Sequence, residues 1–467
     1  MKACIVVGLL TLTAFLAAAE SHAQSRDPTP MPCQTAILFS EFKQYEKYQE
    51  ALKESELNEK MGFNTSPSIE LKIFLETANG FEPQSSFKEF ARDHHDLAAQ
   101  RSLDGNRVTV VNAEFFAAFD PQFKSVTKQI LLPPNSQQVR LMESDSLQID
   151  GEGNYWAAFR QKQGNDFGLR LIRNNARWTG RDDPMDLVDA RLNEKHRGVS
   201  TTFGFHFAKA YERGDGFAYL GWTDVLLDGS FRPKFVKIKF TKTTPEISFL
   251  PDINELVADS VVLQMAFRPM NGRDALYLLW GKRIPGKGDA RYQYRISYWQ
   301  QDKWQDLTPT SPELGNYLAG TPNGALHLDS SGKLYVATVL RSEGRGGRHL
   351  RVLSQKQPGA AFRIEFENKD SLNKREPELW GNKLGVSLLW VQEIAQRGYS
   401  DIDISWSKLM KKGSKVPESP GRAEDIFVVT RKSDKNWTNV LNAKSATAGL
   451  DAGLGIMGSH LVVPCRE

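Results

Sequence analysis

One unit recurs along this chain: a tight turn of Asp, Asn or Gly, followed at once by a strand that is apolar at nearly every position. The turns fall at 104–106, 150–154, 214–216, 271–272, 329–332 and 381–385. The strands behind them read WAAF at 156–159, YLGW at 219–222, YLLW at 277–280 and SLLW at 387–390, with YVAT at 335–338 as a looser fifth. Side chains alternate between the two faces of a strand, so a run that is apolar throughout is buried on both faces. A third strand follows in most units and closes on an aromatic, at Trp178, Trp304, Phe362 and Trp437. Successive anchors lie roughly fifty to sixty residues apart, the spacing of long propeller blades. Six such units are too many for one β-sandwich, which is the competing arrangement. The expectation is an all-β, six-bladed β-propeller, or a seven-bladed one if the terminal strands make a blade of their own.

The pattern resembles the sialidase-type, BNR-repeat β-propeller superfamily from about Leu97 to Trp437. That family closes its units on a turn written S-x-D-x-G-x-x-W. Here "SQKQPGAAF" keeps Ser354, Gly359 and Phe362 with one extra residue and no Asp, and "SDKNW" keeps Ser433, Asp434 and Trp437 without the glycine. The resemblance implies the fold. It does not bring catalytic residues with it: the family's R-I-P signature sits early in the catalytic domain, whereas Arg283-Ile284-Pro285 falls mid-chain in a hairpin loop.

The ends of the chain set the compartment. Lys2 precedes an apolar run at 5–19, and Ser21-His22-Ala23 places small residues three and one positions before Gln24. That reads as a secretory signal peptide cleaved after Ala23. Export to the periplasm or the extracellular space is the expectation. Cys4 leaves with the signal, so Cys33 and Cys465 remain, and an even pair in an oxidising compartment reads as a disulfide. Closing so long a loop is worth on the order of 5 kcal/mol in the chain-entropy treatment. The strands at 35–39 and 458–465 are then partners that close the ring and remove its exposed edges. The expected organisation is a signal peptide at 1–23, an N-terminal strand with a helical insert at 24–96, and the propeller at 97–467, closed with strand 35–39. The insert is read as helical from the stripe Phe42, Tyr45, Tyr48 and Leu52, and from Ser86 and Glu89 spaced as a capping box.

Net charge is only +4, which points to neither nucleic acid nor a membrane surface. Local placement of charge is more informative. In a propeller, the loops joining strands two and three emerge on one face with the links between blades, around the axis. Two of those loops are basic: "KRIPGKGDAR" carries Arg283 and Arg291, and "RSEGRGGR" carries Arg341, Arg345 and Arg348. Lys162 and Arg397 lie in two more. The blade entries add His196, Arg375 and Glu376. Guanidinium forks suit carboxylates, sulfates or phosphates. These eight residues of the two basic loops and the entries (283, 291, 341, 345, 348, 375, 376 and 196) are the expected ligand-binding set, for an acidic glycan or an anionic peptide at the axial funnel. Charged hairpin tips also serve solubility alone.

Chemistry is less legible. No Tyr–Glu pair can be fixed, and His206, flanked by aromatics in "FGFHFAKA", reads as a core histidine. "DHHD" at 93–96 has no spaced partner for a metal, and the Asp/Gly turns are hairpin turns and not calcium loops. Neither a cofactor nor a metal is expected. Three readings stay open: a non-catalytic binder of an anionic ligand, a sialidase-like glycoside hydrolase or polysaccharide lyase, and an envelope protein–protein scaffold. The exported protein should begin at Gln24; N-terminal sequencing of the secreted material checks this, and a retained Met1 would overturn the signal-peptide reading.

Overall fold

A computed structural model describes residues 33–41, 70–77, 80–87, 98–111, 115–124, 126–131, 147–150, 153–163, 166–174, 186–188, 198–199, 205–210, 216–241, 245–251, 259–270, 273–285, 291–307, 314, 316–317, 322–340, 348–370, 372–382, 385–393, 424–431, 436–442 and 456–465. Among them are strands and turns and no α-helix. The strands form seven sheets. Six are built mainly from consecutive chain, here blades 1 to 6: residues 98–131, 147–188, 198–249, 260–306, 324–368 and 374–442, with Lys209–Ala210 and Asn316–Tyr317 adding short pairings to blade 4. The seventh, blade 7, takes three strands from near the start, Ala36–Glu41, Glu70–Thr77 and Gly80–Phe87, and its last, Ile456–Val463, from near the end. The six repeats legible in the sequence are thus the six contiguous blades, and the terminal strands make a sheet of their own.

Blade 7 is where the ring closes. Ala36 pairs with Val463, Ile37 with Val462 and Leu38 with Leu461, all antiparallel. Ile456–Val463 is innermost and packs against the innermost strands of blades 6 and 1, Lys374–Asn382 and Ala98–Arg101. Cys33 and Cys465 are disulfide-bonded, as their positions predict.

The strand-by-strand pattern follows from position in the blade. Second strands are pressed between neighbouring blades. In Phe217–Val225 seven consecutive residues, from Ala218 to Asp224, are buried. Leu334–Leu340 is buried at every position but its last. Outermost strands, such as Glu246–Phe249 and Lys303–Asp306, are mostly exposed. The apolar anchors are the second strands, and their indoles are pinned by hydrogen bonds: Trp156 Nε1 donates to Asp150 at 2.8 Å, Trp222 to Asp224 at 2.8 Å, Trp280 to Ser297 at 3.1 Å and Trp390 to Gln392 at 3.0 Å. His206 is buried in a short strand between Phe205 and Phe207, a core position as expected.

The helical insert needs correction. The apolar stripe from Phe42 to Leu52 lies outside the described residues. Ser86, read as a helix cap, is instead in a strand and pairs with Lys72. The local capping signal gives way to the non-local pairing that completes blade 7. Within 24–96 the described residues Ala36–Glu41, Glu70–Thr77 and Gly80–Phe87 are strands of blade 7.

Adjacent blades are stapled by polar side chains. Thr223 Oγ1 in blade 3 accepts from Val262 N in blade 4 at 3.0 Å. Gln264 Oε1 in blade 4 accepts from Leu326 N in blade 5. Glu378 Oε2 in blade 6 accepts from Val462 N in blade 7 at 3.0 Å. Gln264 and Glu378 each follow a bulge in their innermost strand, which re-aims the side chain along the ring. Replacing Glu378 with Ala should leave the Val462 N–H without this acceptor and cost about 1–3 kcal/mol, read as a lower urea midpoint. Glu378→Gln keeps an acceptor and should lose less.

Candidate functional site

The innermost strands start on the face that also carries the loops between strands two and three. Asp259 sits immediately before the innermost strand of blade 4, Ser260–Met270. Its backbone is left-handed, with φ 62°. It is tied in on three sides: its N–H donates to Phe231 O at 2.9 Å, its carbonyl accepts from Arg283 N at 2.9 Å, and its Oδ1 accepts from Phe231 N at 3.3 Å. Its remaining oxygen, Oδ2, faces Arg283 Nη1 at 3.4 Å. Arg283 pairs in register with Tyr292, and the neighbouring Ile284 with Arg291. Burial raises the Tyr292 hydroxyl above its usual range; Arg283 opposes that shift and Asp259 adds to it. A carboxylate, a guanidinium and a tyrosine therefore share one corner of blade 4.

A second group lies where blade 5 hands over to blade 6. Lys374 opens the innermost strand and its side chain is fully buried. Its ammonium donates to the carbonyls of Arg348 at 3.3 Å, Asp370 at 3.2 Å and Leu372 at 2.8 Å, and pairs with the Asp370 carboxylate. The other Asp370 oxygen accepts from Gln392 Nε2 at 3.2 Å, and Gln392 Oε1 takes both the Trp390 indole and Asn368 Nδ2. Next along the strand, Arg375 is ion-paired with Glu376. Glu376 is in the bulge and is left-handed, with φ 50°.

The expected ligand set therefore divides. Arg283, Arg291, Arg348, Arg375 and Glu376 lie on the expected face, whereas His196, Arg341 and Arg345 lie outside the described residues. Arg375 and Glu376 lie inside the innermost strand, not in the link before it. The arginine rim is not a simple positive field, since Arg283 and Arg375 each hold a carboxylate. Sequence reasoning missed Asp259, Tyr292, Asp370, Lys374 and Gln392. The available signals were an acidic residue directly ahead of an apolar strand in "VADSVV" and an Asp four residues before a Lys in "DSLNK". No group of three or more His, Cys, Asp or Glu side chains suited to a metal occurs among the described residues. No helix among the described residues is long and apolar enough to cross a membrane.

No family model matches this chain, and no curated protein matches it. Three solved structures are among those similar to it. The GH93 alpha-L-arabinofuranosidase of Fusarium graminearum, in complex with arabinobiose, is 10% identical with a TM-score of 0.39, over 64% of this chain and 88% of that one. The polysaccharide lyase Uly1 is 10% identical with a TM-score of 0.42, over 72% and 83%. Drosophila Plexin A in complex with Semaphorin 1b is 10% identical with a TM-score of 0.38, over 70% and 81%. Likeness at this level carries no activity across.

Lys374→Met should strand the three carbonyls and the carboxylate that now share one ammonium. A loss of about 1–3 kcal/mol is expected from leaving these acceptors without their shared donor, read by urea unfolding. An unchanged midpoint would mean that the lysine does not hold the blade 5–6 junction.

Proposed function

We propose that this chain is an exported propeller that takes a glycan at the mouth formed by blades 4 to 6 and acts on it as a hydrolase or lyase. The observation that carries the reading is the pairing of strain with charge. Among the described residues, Asp259 and Glu376 are the left-handed non-glycine residues at the innermost strands, both are carboxylates, and each is held against an arginine. Non-glycine residues in that backbone region cost energy and collect at functional sites. Mixed carboxylate and guanidinium groups suit a hydroxyl-rich sugar ring, which both donates and accepts hydrogen bonds, better than they suit a bare anion. Tyr292 beside Asp259 and Arg283 supplies a third group able to move a proton or form a bond.

The purely electrostatic reading, an acidic glycan or anionic peptide gripped by free arginines, is weakened by the same pairs. An envelope protein partner has no comparable support: the large apolar side chains most exposed among the described residues, Leu227, Phe249, Ile364 and Leu103, sit on different strands and turns of three blades.

The test is incubation of the protein from Gln24 onward with neutral and acidic glycans, followed by mass spectrometry and by binding at increasing salt. New products that vanish in Asp259→Asn or Glu376→Gln are expected. Salt-sensitive binding without products would replace this reading with the non-catalytic anionic one. Silence across the panel would remove both.

A further inference from the structure

The opposite face of the ring carries a second polar cluster, at the seam between blades 5 and 6. Glu365, on the outermost strand of blade 5, accepts from Ser354 Oγ at 2.5 Å and from Lys333 Nζ at 2.8 Å through Oε1. Its Oε2 faces Arg431 Nη2, from blade 6, at 3.0 Å. Arg431 Nη1 reaches Tyr335 OH at 3.0 Å, and the Lys333 ammonium lies 4.6 Å from the centre of the Tyr335 ring. Burial alone would raise the Glu365 carboxyl, but Lys333, Ser354 and Arg431 together hold it below its usual range. Two cations thus share one carboxylate in a site that is only slightly open to solvent.

Two donors at this seam are not used. Arg431 Nε and the Trp437 indole Nε1 are buried and have no hydrogen-bond partner. They belong to residues directly opposite each other in register, so both side chains project from the same face of blade 6. That face meets blade 5: Arg431 touches Glu365 and Tyr335, and the Trp437 ring lies 5.5 Å from Phe366. A buried N–H left without an acceptor is costly, and such groups in folded proteins nearly always find one. Two of them on one face, beside two cations that share one carboxylate among the described residues, call for an acceptor with two oxygens and a negative charge.

We propose that the blade 5–6 seam is a subsite for a carboxylate group, bound through Arg431 Nε–H and Trp437 Nε1–H with Lys333 and Arg431 supplying the charge. A carboxylate has the needed two acceptor oxygens in one plane, and the guanidinium Nε edge is a natural half of that grip. The carboxylate comes from a free small acid or from an acidic residue of a polymer. The site is independent of the mouth on the other face.

The test is the indole N–H spectrum of ¹⁵N-tryptophan-labelled protein, in which the signal lost in Trp437→Phe identifies Trp437. Sodium acetate, and separately a uronic-acid oligosaccharide, is titrated at constant pH and ionic strength against sodium chloride. A saturable shift of the Trp437 signal with acetate supports a free small acid, and one with the oligosaccharide alone supports a polymer-borne acid. The shift should weaken at least tenfold in apparent affinity in Arg431→Lys, which keeps the charge and lacks the Nε–H. No shift with either probe, an equal shift with chloride, or full retention in Arg431→Lys would overturn the proposal. The remaining indole signals report whether each variant is folded.

Discussion

In most blades of this ring the innermost strand has one edge turned toward the axis with no further strand on it; in blade 4 the short strand Lys209–Ala210 pairs there, along Ala266 and Phe267 only. Unpaired backbone N–H groups in a shielded place are what a sheet can least tolerate. Here side chains of the preceding blade fill that need. Gln264 caps Leu326 and Glu378 caps Val462, each reaching forward from a bulge, and Thr223 does the same for Val262 from a second strand. The bulges are therefore not faults in the ladder. They spend local regularity to turn a polar side chain toward the next blade, and the order of blades around the ring is fixed by contacts that only neighbours can make.

A bulge and a strained residue also place polar groups at the start of two innermost strands. Glu376 occupies the bulge that frees Glu378, and its left-handed backbone brings its carboxylate to Arg375. Asp259 does a related job in blade 4, bracing Phe231 and Arg283 at the entry of its strand. Structural bracing and polar function are hard to separate at such positions, because one carboxylate serves both.

The blades were legible because their second strands are buried on both faces, and a run such as 219–222 has no other reason to be so apolar. Closure was legible because two cysteines survive at opposite ends. The two outer strands of blade 7 were not: the segment at 70–87 is short of apolar residues in its second half, and Ser86 carries a helix-cap signal that long-range pairing with Lys72 overrides. The arginines were visible and their partners were not. Asp259 lies twenty-four residues before Arg283, and nothing in a linear reading places the two together. Lys374 is the clearest case: a lysine in a polar stretch reads as exposed, and only the fold shows it enclosed by three carbonyls and a carboxylate.

Blade 7 has a consequence for how the molecule comes into being. Three of its strands precede every other blade, and its innermost strand follows them all. While the chain is being delivered, blades 1 to 6 can each assemble from local sequence, but they form an open arc with unsatisfied flanks. The first three strands of blade 7 pack against blades 6 and 1, the last strand completes their sheet at the axis, and the Cys33–Cys465 bond makes that junction covalent. A product that stops short of residue 456 would keep nearly all of its mass but lack the innermost strand of blade 7, leaving Ala36–Glu41 with a bare edge. The ring thus checks its own completeness, and an unfinished copy displays bare strand edges that proteases and chaperones recognise.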